Sequence, residues 1–341
     1  MVILKHAGLT VFLVGIAAAI GLVYWSGIDS VGEAVTSVGW GMLGVVAIRA
    51  VTVAVAGVGW WQIFAAENRP ALSTCIVLRF IREGGNVLLT QVGGDLIGAR
   101  LLAVRDSPGP LAVASIIVDV LLQAATQFLF AGVGIALLVA MGASEALAEG
   151  AAIGVGIAAL LIAGFYVAQR DPGHRMVRWG IGRLIGDRKW RLLGTVDAVY
   201  EALTNIYASR ANPVTSGITH LIGWIIGVAE VLIVFAFMDN PVGLGEAFVI
   251  ESLLHAIRGA AFAIPSALGA QEGGLILLCA IFGIPPGEAI ALSLVKRAAD
   301  LAIGGPSLVW WQILEWRRLI PQMSPTRPHY RGSADSDRRD R

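Results

Sequence analysis

The sequence predicts an all-α polytopic membrane protein: six transmembrane helices plus two oppositely oriented re-entrant helical hairpins in an inverted repeat, with both termini cytoplasmic. Three observations predict it. Hydrophobic residues make up 56% of the 341 and charged ones 14%, against about 25% charged in soluble domains, and the mean hydropathy is +0.75. Between the apolar runs, Lys and Arg gather in alternate connections. Two long apolar stretches, one in each half, are broken by Gly, Pro and polar residues.

A helix needs about 20 apolar residues to cross a bilayer. Six runs meet this, at roughly 8–25, 40–65, 110–141, 150–169, 213–238 and 287–314. The first, Leu9 to Trp25, follows Lys5 as a signal peptide would, but the bulky Tyr24-Trp25-Ser26 is no small-residue cleavage site, so the run is read as a span. Cys75 and Cys279 sit in apolar runs and read as buried thiols. No zinc-type Cys/His spacing occurs, and neither a metal nor a cofactor is expected.

Orientation follows from the connections. Residues 26–39, 142–149 and 239–243 have no Lys or Arg but carry Asp29, Glu33, Glu145, Glu149 and Asp239. The 169–212 connection holds eight basic residues, Arg170 to Arg210, and seven more follow Glu315. Arg69 and Arg105 flank the broken stretch 72–103 on the same, cytoplasmic side. That stretch must enter and return. By the same parity 244–284 must return to the outer side. Both are read as re-entrant hairpins, with two full crossings each as the alternative, because irregular backbone at membrane depth is tolerated only inside protein or along a wet cavity.

The halves then correspond. Units of about 40–141 and 213–314 each run span, hairpin, span, and they start on opposite faces, the arrangement in which broken segments mark a transporter's binding site. Gly93-Gly94-Asp95 with Gly98 faces Gly269-Ala270-Gln271-Glu272 with Gly273, and a Pro-initiated helix follows each. Residues 1–322 form one transmembrane domain, and 323–341 read as a disordered cytoplasmic tail.

Charges inside spans cost about 2.5–3.5 kcal/mol each and are functional hypotheses by default. The basic ones are Arg49, Arg79, Arg82, Arg258, Lys296 and Arg297, and the acidic ones Glu83, Asp95, Asp119, Glu230, Glu251, Glu272 and Asp300. Arg79 with Glu83, and Lys296 with Asp300, have the i,i+4 spacing of neutralising pairs. Arg82, Glu83, Asn86 and Gln91 lead into the first break, and Asp95 and Arg100 follow it. Arg258 precedes the second break, and Gln271 and Glu272 follow it. Glu251, His255 and Arg258 share a helical face. Helix starts at such breaks expose unpaired N–H groups that suit an anionic headgroup, and an Arg beside them adds phosphate-type recognition. Arg82, Asp95, Arg258 and Glu272 are expected to line a polar translocation cavity; Arg49, Asp119, Glu230 and His220 are given structural roles. No Gly-x-Ser-x-Gly, His-Glu-x-x-His or P-loop occurs.

Residues 170–212 form a basic amphipathic connection. Leu192, Val196, Val199, Leu203 and Ile206 make one stripe, with Tyr200 and Tyr207 beside it, and predict a helix lying on the cytoplasmic membrane surface.

Pro265-Ser-Ala-Leu-Gly269-Ala-Gln271-Glu272-Gly273-Gly274, Phe282-Gly283-Ile-Pro285-Pro286 and Ala291-Leu-Ser-Leu-Val-Lys296-Arg297 with Asp300 resemble the lysylphosphatidylglycerol synthase transmembrane region, a flippase-like superfamily, over roughly 40–315. The Gln-Glu-Gly-Gly form and the Lys-Arg-x-x-Asp ending look most like its hopanoid-biosynthesis-associated branch. The first motif, Gln91-Val-Gly-Gly-Asp95, is weaker, and Leu89-Thr90 stands where relatives often have Pro. No soluble aminoacyl-transferring domain accompanies the stretch, so lysyl transfer is not expected. The resemblance implies transbilayer movement of a lipid, a phospholipid or hopanoid, at a bacterial inner membrane. Membrane lipids are then the partners and nucleic acid is not; self-association and contact with hopanoid-biosynthesis proteins are further options. The runner-up readings are an integral-membrane lipid-modifying enzyme and a non-catalytic scaffold.

Overall fold

In the computed structural model the described residues are 33, 36–88, 93–105, 107–142, 145–176, 189–209, 211–261 and 267–319. The expected span at 8–25, the tail 323–341, Gln91 and most of the basic run 170–191 lie outside them. Every regular element within them is helical: α1 (Gly41–Gln62), α2 (Leu72–Leu88), α3 (Gly93–Arg105), α4 (Gly109–Ala140), α5 (Glu145–Ala168), α6 (Lys189–Ala208), α7 (Ala211–Phe237), α8 (Leu244–Ala260), α9 (Ala270–Ile281) and α10 (Pro286–Leu319).

Three helices are long and apolar enough to cross a membrane among the described residues: α1, α4 and Asn212–Phe237 within α7. The protein is a multi-pass membrane protein, and its packing is inverted accordingly. Leu160 and Leu161 of α5 and Leu277 of α9 are more than two-thirds exposed, while Arg82 and Asp119 are fully buried. Water would not tolerate that arrangement; lipid requires it. The α10 run expected at 287–314 is helical throughout, but Glu288, Lys296, Arg297 and Asp300 lower its apolarity.

The arms that follow the two breaks are short. With 13 and 12 residues, α3 and α9 reach about 20 and 18 Å at 1.5 Å per residue, less than the roughly 30 Å hydrocarbon core. α2 and α3 run antiparallel: Gly85 faces Gly94, and Arg82 faces Gly98. A Cβ at Gly94 would run into the Arg82 carbonyl oxygen, so the arms meet backbone to backbone only because no side chain stands there. The turn into α9 carries Gly269 at φ 78, the left-handed region that glycine enters without penalty.

Exchanging α1 with α7, α2 with α8, α3 with α9 and α4 with α10 leaves the set of packed pairs among these eight helices unchanged. α2 packs on α10 as α8 packs on α4; α1 packs on α10 as α7 packs on α4; and α1 packs on α7 across the centre. Two apolar clusters follow. One gathers Val45, Phe130, Val231, Leu254 and Val295, and the other Trp60, Leu78, Leu102, Ile116 and Trp311.

The connection helix α6 departs from expectation. From Val199 onward its stripe packs on protein and not on a lipid surface. Leu203 and Ile206 are buried in the second cluster, with Val199, Tyr200 and Tyr207 packed beside them, and α6 lies against α4. Tyr200 donates to the Ala168 carbonyl at 2.9 Å and Tyr207 to Gln169 Oε1 at 2.6 Å, which ties α6 to the end of α5. Burial, and Tyr166 beside it, push the Tyr207 phenol well above its ordinary value, so it remains a donor. The Arg170 guanidinium lies over both the Tyr166 and Tyr207 rings. Protein offered this apolar stripe a closer-packed partner than acyl chains do, because α4 continues past the core: its 32 residues reach about 48 Å.

Candidate functional site

Most of the charged residues inside the helices pair across elements, and these pairs stand in or behind the wall of one cavity. Glu230 of α7 receives Arg49 of α1 at 2.7 Å and Lys296 of α10 at 2.8 Å. Lys296 also holds Glu251 of α8 at 2.8 Å. Asp300 of α10 receives Arg49 and Arg258, each at 3.2 Å. His255 contacts Glu251 at 3.2 Å and meets the Trp224 ring edge-on, centroids 4.7 Å apart. Four helices from both units are thereby pinned at one point. The i,i+4 pairing expected of Lys296 and Asp300 gives way to these partners on α1, α7 and α8.

A second cluster centres on Arg82, whose side chain is fully buried. It pairs with Asp95 and Asp119 at 2.8 Å each and lies 4.6 Å over the Trp60 ring. Asp119 also meets His220 Nε2 at 3.0 Å and accepts from Gln123 at 2.7 Å. Asn86 accepts the Gly94 N–H at 2.8 Å and reaches Asp95 at 3.4 Å, which closes the hairpin. Arg79 pairs with Glu83 at 3.0 Å, as its spacing predicts, and donates to Gln123 at 2.9 Å. In the other unit Glu272 accepts from Arg297 at 2.6 Å, from Ser293 at 2.9 Å and from the Gly269 N–H at 2.8 Å. Gln271 donates to Ser293 Oγ at 2.8 Å.

The cavity holds about 230 Å³, enough for a lipid headgroup and below the 300–1,000 Å³ typical of sites that enclose a whole drug-sized ligand. Of the residues singled out from sequence, Glu83, Asn86, Glu251, His255, Arg258, Arg297 and Asp300 line it. Arg82, Asp95, Gln271, Glu272 and Lys296 stand behind the wall: Arg82 is enclosed by two carboxylates and an indole, and Glu272 is consumed by a helix start and Arg297. Arg100 is exposed on α3, and Gln91 lies outside the described residues.

Sequence reasoning passed over much of the wall. Arg49, His220 and Glu230, given structural roles, line the cavity together with Arg79, Gln123, Gln127 and Trp224. A usable signal was present. α2 and α8 each have 17 residues. Arg79, Glu83, Asn86 and Val87 occupy the eighth, twelfth, fifteenth and sixteenth places of α2, and Glu251, His255, Arg258 and Gly259 the same places of α8. Arg49, Thr52, Val53 and Ala56 of α1 repeat the spacing of His220, Gly223, Trp224 and Gly227 of α7. The lining positions correspond while the chemistry does not: Arg79 answers Glu251, and Asn86 answers Arg258. Buried nitrogens are left without acceptors at Arg49 Nε and Arg79 Nε, so the hydrogen bonding behind the wall is not saturated. Among the described residues no group of His, Cys, Asp and Glu is arranged to hold a metal ion.

Comparison with known proteins gives no match to a curated protein or to a solved structure. A family model described as the lysylphosphatidylglycerol synthase TM region matches residues 12–305. That match covers the first unit, the connection and the second unit as far as residue 305, with every cavity-lining residue inside it, and the chain belongs to this family of membrane proteins with a lipid-related role.

Proposed function

We propose that the protein moves a polar-headed lipid, a phospholipid or a hopanoid-type lipid, across a bacterial inner membrane. The headgroup passes through the cavity between the two units while the apolar tails stay in the bilayer. Hairpins α2–α3 and α8–α9 enter from opposite faces and each supplies one wall. The observation that carries this reading is the cavity itself, charged, enclosed by helices with lipid-facing outer surfaces, and lined from corresponding positions of both units. Its size suits a headgroup without its chains. Arg79 and Arg258 are the residues assigned to hold an anionic headgroup, since guanidinium forks match phosphate oxygens.

Reconstituted proteoliposomes with fluorescently labelled phosphatidylglycerol test it. Transbilayer movement is expected with the wild-type protein and is expected to fall by at least roughly tenfold in Arg79→Ala and Arg258→Ala, the loss of one charge-assisted contact of about 1.5–3 kcal/mol. Mass spectrometry of the same lipids separates the enzyme reading: a new lipid product without movement would favour chemistry over transport. Full movement in both variants would refute the site.

A further inference from the structure

The buried charges of the described helices balance in three clusters and fail to balance in the fourth. Arg79 matches Glu83, and Arg297 matches Glu272. Arg49, Lys296 and Arg258 match Glu230, Glu251 and Asp300. In the remaining cluster one cation, Arg82, is shared by two carboxylates, Asp95 and Asp119. Asp95 lies in the first turn of α3, where the helix N-terminus meets part of its charge. Asp119 is the eleventh residue of α4, beyond the reach of its N-terminus, with its side chain fully buried, and has no such help. An unbalanced carboxylate at that depth is costly.

The group positioned to correct the deficit is His220. Its Nε2 lies 3.0 Å from Asp119 Oδ1, and the ring is 2% exposed. The Asp119 Oδ2 oxygen is already taken by Arg82 and Gln123. His220 also lines the cavity, so a proton on it has a route to whatever enters. The groups that face it are Asp119 of α4, with Arg82 and Arg79 of α2 beyond, and Gly59 of α1 against the ring. Across the cavity stand Arg49 of α1, Glu83 of α2, Glu230 of α7, Glu251, His255 and Arg258 of α8, and Arg297 and Asp300 of α10.

We propose that His220, held on Asp119, is a proton-binding site in the cavity wall, and that passage of an anionic headgroup is linked to its protonation. The linkage rests on the transport reading above; the proton site does not. A phosphate in the cavity favours the charged ring, and by reciprocity the charged ring favours the phosphate. When the cavity opens and hydrates, the proton is free to leave to water, so headgroup and proton travel together.

Two measurements test this separately. Protein with ¹⁵N-labelled histidine in phosphatidylethanolamine/phosphatidylglycerol nanodiscs is expected to show the His220 ring gaining a proton as the pH is lowered, the signal assigned by its loss in His220→Gln. Asp119→Asn is expected to make the ring harder to protonate, and it serves as the second variant if His220→Gln does not fold. A His220 signal that does not change with pH, or that Asp119→Asn leaves unaltered, overturns the proposal. In proteoliposomes with labelled phosphatidylglycerol, an imposed proton gradient is expected to change the wild-type rate several-fold and to leave the rate of His220→Gln, whatever its absolute value, unchanged. Wild-type movement indifferent to the gradient overturns the linkage. An absence of movement under every condition overturns the transport reading, and the ring protonation then decides the proton site alone.

Discussion

Lys296 is a single ammonium group shared by Glu230 and Glu251, and all three side chains are no more than 2% exposed. Removing the cation leaves Glu230 buried with Arg49 and Glu251 buried with His255. Breaking a buried pair in this way costs about 3–5 kcal/mol. Lys296→Met is therefore expected to lower the thermal midpoint of the detergent-solubilised protein sharply, and Lys296→Met with Glu251→Gln to recover much of the loss, because Glu230 keeps Arg49. Equal midpoints for the single and double variants would show that the ammonium does not hold Glu251. At this scale the sequence made the actors plain and hid their partners. A charge within an apolar run is conspicuous whatever it contacts, so all thirteen in-span charges could be named. Pairing depends on chain-distant contacts such as Arg49 with Glu230, 181 residues apart, and spacing along one helix says nothing about them. Arg79 with Glu83 was legible because both ends of that bond lie on one helix.

At the scale of elements, glycine placement and the seating of α6 carry the predictions. Gly94→Ala forces the arms of the first hairpin apart, since the added methyl meets the Arg82 carbonyl, and a loss of stability of roughly 1–3 kcal/mol is expected from such overpacking. Gly273→Ala, where a Cβ meets nothing within 4 Å, is the matched control and is expected to gain up to about 1 kcal/mol from helix propensity. Equal effects on the thermal midpoint would mean that the arms do not meet at Gly94. For α6, Leu203→Ala is expected to cost about 2–5 kcal/mol, while the exposed neighbour Glu201→Ala changes stability by no more than about 0.5 kcal/mol. A helix merely resting on lipid would show no such contrast. The apolar stripe of α6 was visible from its periodicity, but periodicity identifies a face to be covered and not what covers it. The decision lay in the reach of α4 beyond the membrane core, a tertiary fact.

For the whole molecule, charge parity and the matching breaks predict a two-unit plan, and pairwise packing exchanges between α1–α4 and α7–α10. The plan also implies sidedness. In a Cys75→Ala/Cys279→Ala background, a membrane-impermeant thiol reagent is expected to reach Asn68→Cys and Pro241→Cys from opposite sides of oriented vesicles, since one precedes α2 and the other precedes α8. Labelling of both from one side would refute the opposed hairpins. The central claim is that the headgroup passes through the cavity, and Ala56, on its wall in α1, gives the most direct test of it. With Ala56→Cys in the same background, complete modification by a bulky methanethiosulfonate is expected to stop transbilayer movement of labelled phosphatidylglycerol. Modification of Leu161→Cys on the exposed face of α5 is expected to leave it unchanged. Undiminished movement after full modification at position 56 would contradict a path through this cavity.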